Sequence, residues 1–437
     1  MIVDRMTDLI GHTPLIKIPS HITGLKNIDV YGKLEMMNPY GSVKDRIAWG
    51  MIKDDLQDMA DKGQTIFENS SGNTAKALCA IAASYGVPFK LVSAMAKIKE
   101  TKDVLRMLGA EIEEFAAASD CFDPNDPNDP QYLIEKAVRE AEGKIYFTSQ
   151  FTNEKNPKVH EETTAQEVLN DLGTVDYFIS GLGTTGSTLG MTRAFRAKNQ
   201  DCKCIGLTSA KGEFVPGIRS LDQMWESGLY ERDNYNDVVT VSEKGALDAM
   251  LVLNRQLGLL CGPSAGANFQ GSLEYLRTVD DALTERKSAV FIVCDRVEWY
   301  MSYITERMPE LFGEKPKPES LFHFDAANAN DAPQISVEEL QDWTDTNQPL
   351  IIDIRSSIAY RLGHIKGAIN LPIEMFEKLI DSASPFPKEK PILVVCAVGE
   401  KTPRHAAYLN SHGYEAASLQ GGMMARKSYV ANHAQAA

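Results

Sequence analysis

A lysine stands where a helix is expected to begin. In Asn38-Pro39-Tyr40-Gly41-Ser42-Val43-Lys44-Asp45-Arg46, a turn bearing proline and glycine ends at Ser42. Lys44 follows two residues later, and the apolar run Ile47-Ala48-Trp49 comes after Arg46. Ser42 has the chemistry to cap such a helix, which puts Lys44 in its first turn. A cation is unfavourable at the positive end of a helix dipole, so the position asks for a reason. An exposed lysine at a helix start is one reading. The other is an amine that loses its proton easily and holds an aldehyde as a Schiff base. A second segment, Gly181-Leu182-Gly183-Thr184-Thr185-Gly186-Ser187, lies between an apolar strand and a helix expected from Thr188. Its glycines expose backbone N–H groups, and with the hydroxyls and a helix start they suit a phosphate. Gly181, Gly183 and Gly186 also satisfy Gly-x-Gly-x-x-Gly. A dinucleotide reading then needs an acidic residue at the end of the next strand, and Asp201 precedes that strand. A third segment is Cys396-Ala397-Val398-Gly399-Glu400-Lys401-Thr402, a cysteine at a strand end before a tight loop and a helix start. That setting stabilises a thiolate.

The elements needed to position these groups alternate between strand and helix. Strand-like pieces are expected at Leu15-Ile16, Ile28 to Leu34, Ile66 to Glu68, Phe89 to Val92, Tyr177 to Ser180, Ile205 to Thr208, Val238 to Val241, Leu259 to Cys261 and Val290 to Cys294. Helices are expected from the Lys44 loop through Leu56, and over Ala75 to Tyr85, Ile98 to Leu108, Tyr132 to Ala141, His160 to Leu172 and Lys244 to Leu257. This is the alternation of parallel sheets, whose strand ends carry ligand-binding loops. Asp123 to Pro130 reads as a polar surface loop. Gly313 to Pro333 reads as a linker. A second, smaller unit follows, with strands at Leu350 to Arg355, Ile392 to Val395 and Ala417 to Leu419. His160 lacks metal-ligand partners at helical spacing, and Cys202-Lys203-Cys204 reads as part of a strand more readily than as half of a metal site.

The 437 residues, 43% apolar and 24% charged, allow two or three cores. The formal charge of -15 and the absence of a basic block argue against nucleic acid and anionic membranes as partners. No apolar run reaches membrane-spanning length and no leader pattern opens the chain, so a cytoplasmic location is expected. Seven scattered cysteines form no disulfide framework.

In combination, Asn38 to Arg46, Ser70-Ser71-Gly72-Asn73-Thr74, Gln150-Phe151, Gly181 to Gly190 and Gly262-Pro263-Ser264-Ala265-Gly266 resemble the fold-type II pyridoxal-phosphate enzymes of the cysteine synthase and cystathionine beta-synthase group, over roughly residues 5–312. The resemblance implies two open twisted α/β sheets with helices on both faces, and pyridoxal 5'-phosphate as cofactor. It implies that Lys44 holds the cofactor and moves the substrate α proton, and that Asn73 bonds the ring hydroxyl. Gly183, Thr184, Thr185, Gly186 and Ser187 would bind the phosphate, with Ser264 facing the pyridine nitrogen. Ser70, Ser71, Thr74 and Gln150 would surround the substrate carboxylate. A serine at the ring nitrogen supplies no negative charge, which favours beta-elimination through an aminoacrylate over transamination. Ser70, Ala75 and Thr185 depart from the residues usual in the group. A Thr184-Thr185 loop resembles the phosphoserine-using or thiocarboxylate-using branch, and Arg219 is a candidate receiver of a phosphate leaving group.

Asp353-Ile354-Arg355, Gly363 to Pro372, Cys396 to Thr402 and Gly421-Gly422 resemble a single rhodanese domain. That implies Cys396 as a sulfur-carrying residue and Lys401 as a contact to an anionic donor. The family prefers arginine at Lys401, and a lysine keeps the charge without the fork geometry. The expected organisation is a catalytic region over 1–312, with a smaller subdomain over about 42–145 inserted in it, a linker over 313–332 and a rhodanese-like domain over 333–430. The joint expectation is a homodimeric cysteine synthase-like enzyme acting on O-acetylserine or O-phosphoserine, with sulfide, persulfide or thiocarboxylate as sulfur donor. Beta-replacement with an amine, cysteine desulfhydration, and a scaffold bearing an inactive rhodanese module are the alternatives.

Overall fold

The computed structural model of the chain describes residues 2–70, 72–93, 98–114, 136–141, 143–313, 321, 324, 332–382 and 386–434. Ser71, the Asp123 to Pro130 tract, the start of the helix expected at Tyr132 and most of the expected linker lie outside these residues. The chain forms two compact units, one from Met1–Glu114 and Ile134–Ile304, the other containing Thr305–Ala437.

The strands of the first unit are β1 (Leu15–Ile18), β2 (Ile28–Lys33), β3 (Thr65–Asn69), β4 (Phe89–Ser93), β5 (Glu111–Glu114), β6 (Ile145–Phe147), β7 (Tyr177–Gly181), β8 (Lys203–Ser209), β9 (Asp237–Val241) and β10 (Lys287–Ile292). They make a six-stranded sheet in the order β1-β2-β10-β7-β8-β9 and a four-stranded sheet in the order β5-β4-β3-β6. Only β1 runs antiparallel to its neighbour. The central strand β7 is buried along Tyr177 to Ser180, as a parallel strand covered on both faces must be. The edge strand β9 exposes Asp237 and Thr240. The chain leaves the large sheet after β2, builds the small sheet, and returns at β7. Helix Lys44–Ile52 heads the excursion, and the alanine-rich face of helix Asn73–Ser84 packs with it in one apolar cluster.

A buried charge network fixes that first helix. Arg46 is 2% exposed and Glu35 is fully buried. The Arg46 guanidinium donates to both Glu35 oxygens at 2.7 and 2.9 Å and to both Glu167 oxygens at 2.7 Å. Lys33 donates to Glu167 at 2.7 Å, so two cations face two carboxylates with no net charge. Asn38 ties the loop to the same centre, donating to Glu35 at 2.9 Å and accepting the Gly11 N–H at 2.9 Å.

The elements differ from the expectations in a few places. The helix expected through Leu56 is two helices, Lys44–Ile52 and Leu56–Lys62. The helix expected from Thr188 starts at Gly186. His160–Thr164 forms a π turn, where the Thr163 hydroxyl donates to the Val159 carbonyl at 2.6 Å and receives Arg46 at 3.2 Å. Leu259 to Cys261 is not a strand; among the described residues it makes an isolated antiparallel bridge from Cys261 to Arg296, beside the Val297 N–H donating to the Leu260 carbonyl at 3.0 Å. In the second unit, β11 (Gln334–Ile335), β12 (Leu350–Asp353), β13 (Ile369–Asn370), β14 (Ile392–Val395) and β15 (Ala416–Leu419) make a parallel sheet in the order β11-β15-β14-β12-β13. Its core includes Phe376, Ile392, Val394 and Tyr408.

Removing the guanidinium leaves the buried carboxylate of Glu35 and the partly buried one of Glu167 facing one lysine. Arg46→Ala is therefore expected to destabilise the first unit by about 3–5 kcal/mol. Arg46→Lys, which keeps the charge but cannot fork, should fall between it and the wild type. Denaturant midpoints of the three proteins check the order.

Candidate active site

The loop that delivers Lys44 is tied on both sides. The Val43 N–H donates to the Cys294 carbonyl at 2.8 Å, and Ser42 bridges to Asp295, just beyond β10. Ser42 does not cap the helix by bonding its second or third N–H. Its hydroxyl accepts the Lys44 N–H at 3.2 Å and donates to Asp45 at 3.1 Å. Asp45 also accepts the Tyr40 N–H at 2.6 Å, closing the turn with a buried carboxyl. Lys44 is thus the first residue of its helix. Loss of hydration pushes its ammonium's pKa down, while Cys294 and Asp295 pull it back up. This is the setting of an amine that can act as a nucleophile or base.

Asn73, the first residue of its own helix, donates to Asp295 at 2.6 Å and to the Tyr300 hydroxyl at 3.1 Å. Tyr300 also donates to Asp295. Ser264 opens helix Pro263–Val279 and its hydroxyl donates to the other Asp295 oxygen at 3.3 Å. Lys44, Asn73 and Ser264 come from three distant parts of the chain and meet around one buried carboxyl. Burial raises the pKa of that carboxyl, opposed first by Tyr300 and then by Lys76. A serine alone was expected to leave this place without charge; the structure puts Asp295 one hydrogen bond behind it.

Thr74 donates to Gln150 Oε1 at 2.6 Å, and Gln150 Nε2 donates to the Asn69 carbonyl at 3.0 Å. The Ser70 hydroxyl accepts the Gly72 N–H at 3.3 Å. These residues sit at the carboxyl ends of β3 and β6, beside Lys44's neighbour Asn73. The loop after β7 joins them through Asn156, which donates to the Gln150 carbonyl at 2.8 Å and to the Thr184 hydroxyl at 3.2 Å. The backbone there is packed too closely for side chains: a Cβ at Gly186 would lie 1.9 Å from Asn156 Oδ1, and one at Gly183 would lie 2.5 Å from the Gly217 carbonyl. Thr185 takes φ +64° as the residue before helix Gly186–Lys198, and Ser227 donates to the Thr184 carbonyl at 2.8 Å. Ser187 lies in the first turn of that helix, whose leading N–H groups have no intrahelical acceptor. A deprotonable lysine and a glycine-hydroxyl cup of free N–H groups at the ends of neighbouring strands fit an aldehyde that carries a phosphate. Arg219 stands beside the cup: its N–H donates to the Leu182 carbonyl at 2.8 Å and its guanidinium lies 4.9 Å from the Phe151 ring centre.

In the second unit Cys396 follows β14. Its sulfur accepts the Gly399 N–H at 3.1 Å and lies 3.7 Å from the Thr402 hydroxyl, which pairs with Ser418 at 2.7 Å. Lys401 precedes helix Thr402–Ser411. The Gly421-Gly422 segment closes on the loop through the Met423 and Met424 N–H groups, bonded to the Cys396 and Ala397 carbonyls at 3.0 and 2.9 Å.

Sequence reasoning missed Asp295, Tyr300, Asn156 and Glu68. Glu68 is fully buried under Gln150, accepts from Thr148 and from the Gln150 N–H at 3.3 Å, and burial pushes its carboxyl up to about 7. Asp295 and Glu68 each stand at or next to the carboxyl end of an apolar strand, which is the signal that marks them.

Residues 6–295 match the pyridoxal-phosphate dependent enzyme family, and residues 336–428 match the rhodanese-like domain. Cysteine synthase B of Pseudomonas aeruginosa is 32% identical over 299 residues, covering 68% of this chain and 95% of that protein. O-ureido-L-serine synthase of Streptomyces lavendulae is 31% identical, covering 62% and 83%. Among solved structures, a hydrogen sulfide-producing enzyme from Fusobacterium nucleatum superposes with a TM-score of 0.60 at 30% identity, covering 69% of this chain and all of that one. The chain belongs to the fold-type II pyridoxal-phosphate enzymes of the cysteine synthase and cystathionine beta-synthase group: it is an enzyme of beta-replacement chemistry whose cofactor is pyridoxal 5'-phosphate, and it carries a rhodanese-like domain.

Proposed function

We propose that the first unit replaces the β substituent of an O-activated L-serine, O-phosphoserine or O-acetylserine, with sulfur that Cys396 of the second unit supplies as a persulfide. The observation that carries the reading is the gathering of Asn73 and Ser264 on Asp295, with the Lys44 turn tied to the same segment beyond β10 and the Gly183 to Ser187 cup at the end of the neighbouring strand β7. Lys44 is the residue to hold the cofactor aldehyde. Asn73 and Ser264 orient the ring, and the cup from Gly183 to Ser187 takes the phosphate. When bound, the cofactor stabilises the negative charge that develops at the substrate α carbon, so that a β substituent can leave. The Lys44 amine, desolvated and so more ready to be neutral, takes the α proton. Ser70, Ser71, Thr74 and Gln150 hold the substrate carboxylate.

Cys396 supports the sulfur assignment. A persulfide on its sulfur meets the Gly399 N–H, and Lys401 adds a positive charge at the same loop. A thiol reductant then releases hydrosulfide from the persulfide, leaving Cys396 as a thiol and the reductant as a disulfide. Hydrosulfide adds at the β carbon in place of phosphate or acetate. Tethering of the two units in one chain raises the local sulfur concentration if the linker lets the two sites meet. The named relatives, at near-equal identity, are a cysteine synthase and an O-ureido-L-serine synthase, so an amine or other nucleophile is the second reading, and cysteine breakdown the third.

Product analysis on the purified full chain separates these. Thiosulfate or a low-molecular-weight persulfide, with a thiol reductant and an O-activated serine, is expected to give cysteine. Cys396→Ser should lower that rate at least about tenfold relative to the rate with free sulfide. An unchanged ratio defeats the sulfur assignment, and product only with an amine favours the second reading. Arg219→Met is expected to lower kcat/KM for O-phosphoserine by roughly tenfold to a hundredfold, the size of a lost charge-assisted contact, and to affect O-acetylserine less. Equal losses on both donors remove Arg219 as the phosphate contact.

A further inference from the structure

Lys76 lies three residues after Asn73 on the same helix, so the two side chains share a face. It is 3% exposed. Its ammonium sits 3.6 Å from the centre of the Trp299 ring and has no hydrogen-bond partner among the described residues. The aromatic face holds the cation without neutralising it. A buried ammonium in this state is costly unless an opposite charge nearby offsets the lost hydration. Two buried carboxyls face it, Asp45 on helix Lys44–Ile52 and Asp295 beyond β10, together with the exposed Arg296 and Glu298 of opposite sign. Asp45, the larger of the two influences on Lys76, shapes the Lys44 turn through the Tyr40 N–H and the Ser42 hydroxyl, whereas Asp295 is the carboxyl that contacts Asn73 and Ser264.

Asp295 is the carboxyl that needs a cation. It is the acceptor for three donors: the Asn73 amide, the Tyr300 hydroxyl and the Ser264 hydroxyl. A carboxylate accepts all three as they stand, whereas a protonated acid must turn one oxygen into a donor and make the Ser264 hydroxyl its acceptor. The other titratable groups facing Asp295 are Tyr300, Lys44, Cys261 and Cys294. The first and the two thiols bring no positive charge. The charge of Lys44 is not constant in a reaction that uses its amine. Lys76 takes no part in that chemistry: burial brings its ammonium down to about 8, and Asp45 and then Asp295 hold it up.

We propose that Lys76 is a positioning residue of the site: its uncoordinated ammonium keeps Asp295 ionised, and ionised Asp295 holds the Asn73 amide and the Tyr300 hydroxyl in place. The inference rests on the reading that Asn73 orients the cofactor ring, and it adds a second lysine to the machinery, one that never reacts.

The test is a double-mutant cycle on the full chain with Lys76→Met, Asp295→Asn and both. Thermal midpoints are read, and so is the pH dependence of the bound cofactor's visible absorbance. If the two groups act as a pair, the double variant loses less than the sum of the single losses, by roughly 3 °C or more. Lys76→Met should also move the midpoint of the absorbance titration upward by about one pH unit, a tenfold change in proton concentration, because removing a positive charge favours protonated forms. A lysine serving only as packing would change the thermal midpoint additively and leave the titration where it is, and that result overturns the proposal. Lys76→Gln gives the same comparison if the methionine variant does not fold. Absence of a visible band in the wild type would reject the cofactor reading instead, and the thermal cycle would still decide the Lys76–Asp295 pairing.

Discussion

The double clamp of Arg46 is the constraint on which the first unit depends. One guanidinium joins Glu35, which precedes the Lys44 loop, to Glu167, which lies beyond the whole small sheet. The geometry is bidentate on both sides and Lys33 completes the charge balance, so burial of Arg46, Glu35 and Lys33 beside the partly exposed Glu167 is tolerated. The consequence is positional. Arg46 is two residues from Lys44, and a guanidinium locked to two carboxylates leaves the first turn of helix Lys44–Ile52 one place to sit. The β10 end fixes the other side of that turn through Val43 and Ser42. The amine proposed to hold the cofactor is thereby aimed by groups that take no part in the proposed chemistry.

The same division of labour runs through the rest of the site. The groups proposed to meet a ligand sit at strand-to-helix junctions, and buried polar groups behind them set their directions. Asp295 stands behind Asn73 and Ser264, Asn156 behind Gln150 and Thr184, and Glu68 behind Gln150. In the second unit, Thr402 and Ser418 stand behind Cys396. Each supporting group is buried and makes at least one hydrogen bond to the group it directs, although Glu68 Oε1 and Asn156 Oδ1 have no partner among the described residues.

Much of the fold was legible because the alternation of apolar runs with turn residues marks parallel α/β units. Lys44, the Gly183 to Ser187 cup, Ser264 and Cys396 were legible for a local reason: each stands where a strand exits toward a helix, with glycine, proline or hydroxyl neighbours that announce the junction. The supporting groups were not, because their partners are far away in sequence. Asn73 and Asp295 are 222 residues apart, and Arg46 and Glu167 are 121 apart. Lys76 looks like any lysine on an outer helix face until Trp299 is placed against it. Leu259 to Cys261 has the composition of a strand, and composition cannot reveal that its pairing among the described residues is an isolated bridge.

The claim that organises this account is that Lys44, and no other lysine, carries the cofactor. Reduction of the cofactor-loaded full chain with borohydride, followed by proteolysis and mass spectrometry, tests it most directly. The account requires a single pyridoxyl adduct, on the peptide containing Lys44. An adduct on Lys76 or any other lysine, with Lys44 unmodified, contradicts it.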